Sequence, residues 1–256
     1  MTGSNGDLTR SSDRMRLFQK MTGTMKTIGI VGGLGPESTM AYYQEIIRAF
    51  QSDEQALQYP EIVLLSVNLY EFMSYMQQEQ YEQATAFLLD QLIRLKQAGA
   101  EFAAISANTP HLFFPALKER SPLPLISIVE AACDRASALK LKRCGLFGTA
   151  FTMKSSFYQE VFAQHHIDVI VPDMDDQRFL QEKLFSEIEL GIFKETTRQA
   201  LIQIIQKMIA RNRIDSLILG CTEFPLILTE SSYAGIPMLN TTSIHVQRIV
   251  EYCQAD

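Results

Sequence analysis

Short apolar runs alternate with longer amphipathic segments along most of this chain. The apolar runs predict strands at residues 27–33, 62–67, 102–106, 124–128, 143–149, 169–171, 216–220 and 237–240. Helical spacing of apolar positions predicts helices that include residues 40–50, 81–98, 177–190, 195–211 and 242–253. Strands that alternate with helices form parallel sheets covered on both faces. The pattern therefore predicts an α/β fold with mostly parallel central sheets flanked by helices.

Three similarities relate the first half of the chain to the second. Gly33 precedes a Tyr-Gln-Glu triplet by ten residues, and Gly148, 115 residues later, does the same. The tripeptides at 107–109 and 124–126 have counterparts 114 and 113 residues later. A repeat of this kind predicts two pseudosymmetric α/β domains with a cleft between them. Matching positions would then approach a bound ligand from opposite faces.

The repeat and the composition divide the chain into three parts. Residues 1–24 are rich in Gly, Ser, Thr and Arg, and we expect them to form a flexible N-terminal tail. Residues 25–126 together with 237–256 are predicted to form the N-terminal domain, and residues 127–236 the C-terminal domain. We expect the active site in the cleft between the two domains.

Composition and charge narrow the possible classes of function. The apolar content of 46% and charged content of 20% are ordinary for a globular protein. A formal charge of -6 argues against binding nucleic acid or an acidic membrane surface. We expect neither a membrane-spanning segment nor a secretory signal. The four cysteines form no CxxC pair, so we expect a cytoplasmic protein with reduced thiols and no metal site.

The glycine-rich turn after the first predicted strand indicates a ligand site, but not one for a dinucleotide. Residues 32–35 read Gly-Gly-Leu-Gly, which does not supply the GxGxxG register, and the chain has no GKS or GKT sequence. Glycine turns of this kind bring backbone N–H groups close to small anions. We therefore expect Gly33 to contribute to binding a small anionic substrate.

Cys221 is the candidate for acid–base or nucleophilic chemistry. It follows the apolar run at 216–220, and ligands of open parallel sheets bind beyond the C-terminal ends of the strands. The alternative is packing, because an isolated cysteine is often a small buried apolar residue. The N–H groups of the turn after Cys221 are expected to favour its thiolate. Glu223 could polarise the thiol or bind a substrate ammonium, or it could pair with a basic side chain.

Neutral donors at the predicted strand ends could hold a carboxylate without placing another charge beside the thiol. These candidates are Asn108, Thr109, Thr149, Thr152 and Thr222. Thr152 could instead cap a helix. His111 could orient a loop near the site or be a structural core residue. Lys183 could reach a distal carboxylate of the substrate or be a solvated surface residue.

Four motifs, taken in order, carry a resemblance to a known family. They are the strand and glycine turn at 28–39, Asn-Thr-Pro-His at 108–111, Gly-Thr-Ala-Phe-Thr at 148–152 and Gly-Cys-Thr-Glu at 220–223. On these motifs the chain resembles the cofactor-independent aspartate/glutamate racemase superfamily, and most closely its aspartate racemase branch. The resemblance extends from residue 25 to the end of the chain. It implies two pseudosymmetric α/β domains and, usually, a homodimer.

The resemblance also implies a chemistry. Members of the superfamily move the α-proton of an acidic amino acid between two cysteines on opposite faces, without pyridoxal phosphate or metal. Cys221 matches the second of these cysteines, whereas Ala107 stands where the first is expected. Glu223 stands where the glutamate racemase branch has His. The motif positions that line the substrate carboxylate sites are matched by Asn108, Thr109, Thr149 and Thr222.

Ala107 leaves three functions open. The first is a racemase of aspartate, glutamate or a related acidic amino acid, which needs no cofactor and uses Cys221 as acid and base. Its activity would be weak or one-directional, because alanine has no proton to give or take. The second is a one-thiol decarboxylase or isomerase of a small dicarboxylate. The third is a non-catalytic homologue that only binds the ligand.

Overall fold

The computed structural model describes residues 25–51 and 58–255, and its first half is built on a parallel sheet. The strands are β1 (Ile28–Gly32), β2 (Ile62–Ser66), β3 (Phe102–Ile105) and β4 (Leu125–Ile126). They are ordered β2-β1-β3-β4. The accompanying helices are α1 (Pro36–Ala49), α2 (Leu69–Gln77), α3 (Tyr81–Gln97), α4 (Phe114–Arg120) and α5 (Ile128–Ala138). A 3₁₀ helix, Thr109–Phe113, precedes α4.

The second half is built on a sheet that is parallel except for one edge strand. The strands are β5 (Arg143–Gly148), β6 (Asp168–Ile170), β7 (Ser216–Gly220), β8 (Ser232–Tyr233) and β9 (Ile236–Asn240). They are ordered β6-β5-β7-β9-β8, and only the pairing of β8 with β9 is antiparallel among the described residues. The helices are α6 (Ala150–Lys154), α7 (Phe157–Ala163), α8 (Met174–Ser186), α9 (Glu195–Asn212), α10 (Phe224–Ile227) and α11 (Thr241–Gln254). The predicted α/β architecture is thereby confirmed.

Both faces of the first sheet are buried at its central strands β1 and β3, as the continuous apolar runs predict. Alternate side chains of β1 point to opposite faces, because strand residues have a period of two. Ile28 and Ile30 pack with Tyr42 of α1 and Ile249 of α11. Val31 packs on the other face, in a cluster with apolar side chains of α2 and α3. The strand ends are therefore held firmly between two apolar layers.

The C-terminal segment is shared between the halves. Residues 237–256 are predicted from the sequence to belong to the first half, but β9 pairs with β7 in the second sheet. That placement of the strand is wrong, because its hydrogen-bonding partner lies about twenty residues earlier in the same half. The helix that follows, α11, packs against α1 and α5. The domain boundaries as a whole stay a prediction, and the proposed tail at 1–24 lies outside the described residues.

The strand registers, combined with the predicted repeat, correct one of its anchors. Val31 pairs with Ile105 in the first sheet, and Phe147 pairs with Leu219 in the second. When Ala107 is aligned with Cys221, as predicted, these registers align Val31 with Phe147. Tyr42, not Tyr43, is then the counterpart of Tyr158. Both are fully buried: the Tyr42 hydroxyl bonds to His245 Nδ1 at 2.8 Å, and the Tyr158 hydroxyl donates to Asn108 Oδ1 at 2.6 Å.

The helix predicted at 177–190 is interrupted. Helix α8 ends at Ser186, and a 3₁₀ turn at Ile188–Leu190 follows. Gly191 then adopts a left-handed conformation with φ of 71°. Glu187, which is buried, holds this region by accepting hydrogen bonds from Lys183, Lys194 and Thr197. The turn therefore projects away from the helix axis instead of continuing along it.

None of the helices in the described part of the chain is both long enough and apolar enough to cross a membrane.

Gly33→Ala tests how closely the glycine turn packs against the backbone of Val67. Gly33 has φ of 79°, and a Cβ there would lie 2.5 Å from the backbone N and O of Val67. We expect the free energy of unfolding to fall by about 3 kcal/mol or more, from backbone strain together with the clash. The measurement is urea denaturation followed by circular dichroism.

Gly99→Ala is the matched control for this substitution. Gly99 has φ of 98°, but a Cβ there would meet nothing within 4 Å. We expect a loss of about 1 kcal/mol, from backbone strain alone. Equal losses in the two variants would contradict the tight packing described for the turn at Gly33.

Candidate active site

A cavity of about 600 Å³ opens at the C-terminal ends of the central strands of both sheets. The segments that follow β1, β3, β5 and β7 all contribute to it, as expected where parallel strands end. Helix α2 and residues 185–193 form further walls. Among the predicted site residues, the cavity is lined by Ala107, Asn108, Thr109, Thr149, Cys221, Thr222 and Glu223. The strand ends of both halves therefore meet at one site.

Cys221 lines this cavity immediately after β7. Its side chain is largely buried, with 8% of the residue exposed. The thiol Sγ donates a hydrogen bond to Glu223 Oε2 across 2.8 Å. Glu223 is also buried, so a neutral thiol and a carboxylate form a close pair inside the wall of the cavity. Such a pair can pass one proton between sulfur and oxygen.

The pKa of the Cys221 thiol is raised well above its ordinary value. Burial is the main cause, followed by the negative charge of Glu223 and the hydrogen bond to it. A backbone N–H of the turn lowers the pKa, but this contribution is smaller. The expectation that the turn favours a resting thiolate is therefore wrong. The four-residue helix α10 is too short to outweigh burial beside a carboxylate.

A second carboxylate, which sequence reasoning missed, lies at the same cavity. Glu189 belongs to the 3₁₀ turn after α8, and its pKa is raised to about 7. The cause is first the loss of hydration near the cavity and then the negative charge of Glu223. The sequence carries no signal for this placement, because the turn interrupts a segment whose pattern is helical.

The hydroxyl groups of three threonines form a cluster beside the cavity. Thr109 Oγ1 lies 3.4 Å from both Thr149 Oγ1 and Thr152 Oγ1. Thr149 caps helix α6 by accepting the Thr152 N–H at 3.2 Å. Thr152 is fully buried and does not line the cavity. Its role here is to support the cluster, whereas Thr109 and Thr149 face the space that a ligand would occupy.

Asn108 is held in one orientation by buried partners. Its Oδ1 accepts from the Tyr158 hydroxyl, and its Nδ2 donates to Thr241 Oγ1 at 3.4 Å. Thr241 in turn donates to the Leu219 carbonyl of β7 at 2.8 Å. The amide is therefore fixed from behind by the second half of the chain while it lines the cavity from the first.

Gly33 is not part of the cavity wall, contrary to the prediction. Its N–H donates to Thr39 Oγ1 at 2.8 Å and is not available to an anion. The next residues of the turn, Leu34 and Gly35, line the cavity instead. Gly35 lies close to Glu223, because a Cβ at position 35 would be 3.4 Å from Glu223 Oε1. The turn therefore shapes the site, but through residues other than Gly33.

His111 has the structural role that was one of its two predicted alternatives. Its Nε2 accepts the Ile128 N–H at 3.2 Å, so Nδ1 carries the proton and donates to the Ala107 carbonyl at 3.0 Å. Burial lowers its pKa to about 4, which keeps the ring neutral. His111 fixes the backbone at Ala107 and does not line the cavity.

Lys183 does not line the cavity either. Its Nζ lies 3.1 Å from Glu187 Oε1 and 3.3 Å from Glu182 Oε1. These two ion pairs hold the ammonium on helix α8. A contact between Lys183 and a distal substrate carboxylate is therefore not supported by its position.

The charges around the cavity are all negative in the part of the chain that the structure describes. Glu37, Glu189 and Glu223 line it, and no Arg, Lys or His among the described residues does so. No group of three or more His, Cys, Asp or Glu side chains within residues 25–51 and 58–255 is arranged to hold a metal ion. The titratable side chains at this wall, among the described residues, are therefore one thiol and three carboxylates.

Residues 31–249 match the family model described as Asp/Glu/hydantoin racemase. This chain belongs to that racemase family. The predicted membership is confirmed, and the amino-acid racemases among its relatives support the predicted class of enzyme, an isomerase. The predicted repeat matches Cys221 in the second half of this chain with Ala107 in the first half. Ala107 lines the same cavity.

Individual relatives agree with this assignment. The broad specificity amino-acid racemase RacX of Bacillus subtilis (strain 168) is 25% identical over 219 residues, which cover 84% of this chain and 93% of that protein. PH1733 of Pyrococcus horikoshii OT3, an aspartate racemase homologue, has a TM-score of 0.80 at 30% identity, over 90% of this chain and 100% of that one. A Yersinia pestis protein with the provisional name Asp/Glu racemase has a TM-score of 0.83 at 31% identity, with the same coverage.

Glu223→Gln tests whether the carboxylate holds the Cys221 thiol in its protonated form. The change keeps the size of the side chain and removes the charge that raises the thiol pKa. We expect the thiolate fraction at pH 8 to rise, and alkylation of Cys221 by iodoacetamide to become severalfold faster. Mass spectrometry of the Cys221 peptide over time gives the rate.

Two other buried cysteines serve as internal references for that experiment. Burial raises the pKa of Cys133 to about 11 and that of Cys144 to about 12, and neither lines the cavity. Their alkylation rates should be the same in both proteins. Unchanged or slower alkylation of Cys221 in the variant would contradict the electrostatic role of Glu223.

Proposed function

We propose that this chain catalyses proton exchange at the α-carbon of an amino acid, with Cys221 as the acid and base, and without a cofactor. The observation that carries the proposal is the 2.8 Å thiol–carboxylate pair of Cys221 and Glu223 inside a cavity lined by neutral donors. The membership of this chain in a racemase family supports the proposal. Racemisation is the corresponding net reaction.

The proton inventory of the proposed reaction starts from the neutral thiol. Glu223 Oε2 takes the proton from Cys221 Sγ, and the resulting thiolate removes the α-proton of the substrate. The electron pair of the broken C–H bond moves into the substrate carboxylate, forming an enediolate. Thr109, Thr149 and Thr222 offer hydroxyl donors to that oxygen-centred charge. The hydrogen now on sulfur exchanges with water in the cavity, and its return to carbon gives the substrate with a solvent-derived α-hydrogen. Glu223 then returns its proton to sulfur.

Inversion requires a proton from the face opposite Cys221. Ala107 occupies the position that is equivalent to Cys221 in the repeat, and its methyl group cannot supply one. Water in the cavity is then the proton donor, and it is a weak general acid near neutral pH. We therefore propose that α-proton exchange is faster than inversion, so that the enzyme is a slow racemase. A one-directional racemase is excluded, because the two enantiomers have equal free energy and kcat/KM must be the same in both directions.

The single thiol also supports the second candidate, a decarboxylase. Loss of CO₂ from a substituted malonate leaves an enediolate that needs only one proton, and Cys221 could deliver it. This candidate differs from the first in its product, which is a monocarboxylate and CO₂. The homodimer and the cytoplasmic location stay predictions for either enzyme.

Cys221→Ala tests the proposed function. We expect α-deuterium uptake by amino acids in D₂O to fall by at least about 10²-fold, since a positioned acid–base group contributes this much or more. Proton NMR of the α-signal over time measures the uptake. Cys133→Ala, which removes a buried thiol far from the cavity wall, is the control and should retain the wild-type rate. Equal rates in wild type and Cys221→Ala would refute the assignment.

Ala107→Cys tests the account of the opposite face. A thiol at this position supplies the proton donor that inversion lacks, so racemisation measured by polarimetry should become at least tenfold faster. Ala107→Ser has similar size but a much weaker acid, and should leave racemisation near the wild-type rate. Acceleration by serine equal to that by cysteine, or none by cysteine, would contradict the role given to Ala107.

A further inference from the structure

The cavity is poorly suited to a side chain that carries a second carboxylate. Three glutamates line it, at positions 37, 189 and 223, and no basic side chain of the described residues compensates them there. Like charges repel, and the repulsion is strongest where water is excluded, as at the buried Glu223. Glu37 and Glu189 are exposed and add a weaker repulsion toward the second carboxylate of a dicarboxylate.

The cavity also has a large apolar wall. Its members include Phe72, Phe151, Phe185, Leu190 and Phe193. Several of these side chains are exposed to solvent, among them Leu190 at 67% and Phe193 at 48%. Exposed apolar surface in a concave site is favourable for burying the hydrocarbon part of a ligand. The cavity volume of about 600 Å³ leaves room for a long side chain beyond the α-carbon.

Glu189 lies at this wall without a cationic partner among the described residues. The nearest lysines along the chain, Lys183 and Lys194, both place Nζ 3.1 Å from Glu187 Oε1. Glu187 is buried and points into the protein, so it draws these cations away from Glu189. The result is an apolar wall that ends in a carboxylate.

We propose that the substrate is an α-amino acid whose long side chain ends in a cation, such as an ammonium or guanidinium group. The inference rests on the proposed function, because Cys221 locates the α-carbon. The methylene stem lies along the apolar wall and the cationic end pairs with Glu189, with Glu37 adding to the negative field. Long cationic side chains pack in this way elsewhere in proteins, with the stem on apolar surface and the charged end at its edge.

The state of Glu189 supports this choice over a neutral apolar substrate. Its pKa is raised to about 7, partly by the charge of Glu223, so the carboxylate is destabilised in the free enzyme. A cation next to it would stabilise the ionised form. A neutral side chain of the same length would bury the same stem, but the repulsion between the Glu189 and Glu223 carboxylates would remain.

The test compares α-deuterium uptake by L-lysine, L-norleucine and L-glutamate in D₂O. Norleucine has the same four-carbon stem as lysine and no charge. We expect kcat/KM for lysine to exceed that for norleucine and for glutamate by at least tenfold. Glu189→Gln should reduce the ratio of lysine to norleucine about tenfold. Glu182→Gln, which removes an exposed carboxylate of α8 outside the cavity, is the matched control and should leave the ratio as it is.

Binding to Cys221→Ala separates this inference from the proposed function. Isothermal titration of the variant with the same three amino acids measures side-chain preference without turnover. Preferential binding of lysine that weakens with Glu189→Gln supports the substrate class even if no exchange occurs, in which case the proposed function fails alone. Preference for glutamate, or equal binding of lysine and norleucine unaffected by Glu189→Gln, would overturn the inference, whether or not exchange is seen.

Discussion

The hydrogen bond between the Cys221 thiol and the Glu223 carboxylate is the interaction on which the site depends. Buried beside a negative charge, the sulfur keeps its proton, and the nearby oxygen is the group that can take it. The pair differs from a thiolate activated by cations, which would be ionised at rest. Proton transfer from this thiol therefore needs a proton acceptor beside it. The buried Glu223 carboxylate, two residues after Cys221, is that acceptor.

The central strands of both sheets end at a shared cavity, and the pair lies at the end of one of them. The two halves have similar backbones, but the side chains at the matched strand ends differ. Cys221 and Ala107 occupy equivalent positions, one with a titratable hydrogen and one without. His111 and Tyr158 nonetheless hold the first-half loop in place, through the Ala107 carbonyl and the Asn108 amide. An ordered loop that carries the methyl group of Ala107 is consistent with proton transfer from the Cys221 face alone.

Features that follow from apolar runs, repeated motifs and motif spacing could be predicted from the sequence, and features set by individual side-chain contacts could not. The strand ends follow from the apolar runs, the match of Ala107 with Cys221 from the internal repeat, and the nearness of Glu223 from its spacing in the motif. Gly33 was misassigned because Thr39 takes its N–H, and β9 because its partner strand is identified only by pairing. Glu189 was missed because the buried Glu187, bound by two lysines and Thr197, turns the chain where the periodicity continues as a helix.

The stereochemical course of deuterium uptake by a single-enantiomer substrate tests the one-thiol site most directly. Chiral chromatography with mass spectrometry, applied to early time points in D₂O, separates deuterium in the remaining enantiomer from deuterium in the inverted product. A site with Cys221 on one face and Ala107 on the other predicts that most deuterium first appears in the substrate with its configuration retained. Deuterium confined to the inverted product would show a second acid on the opposite face and contradict this account.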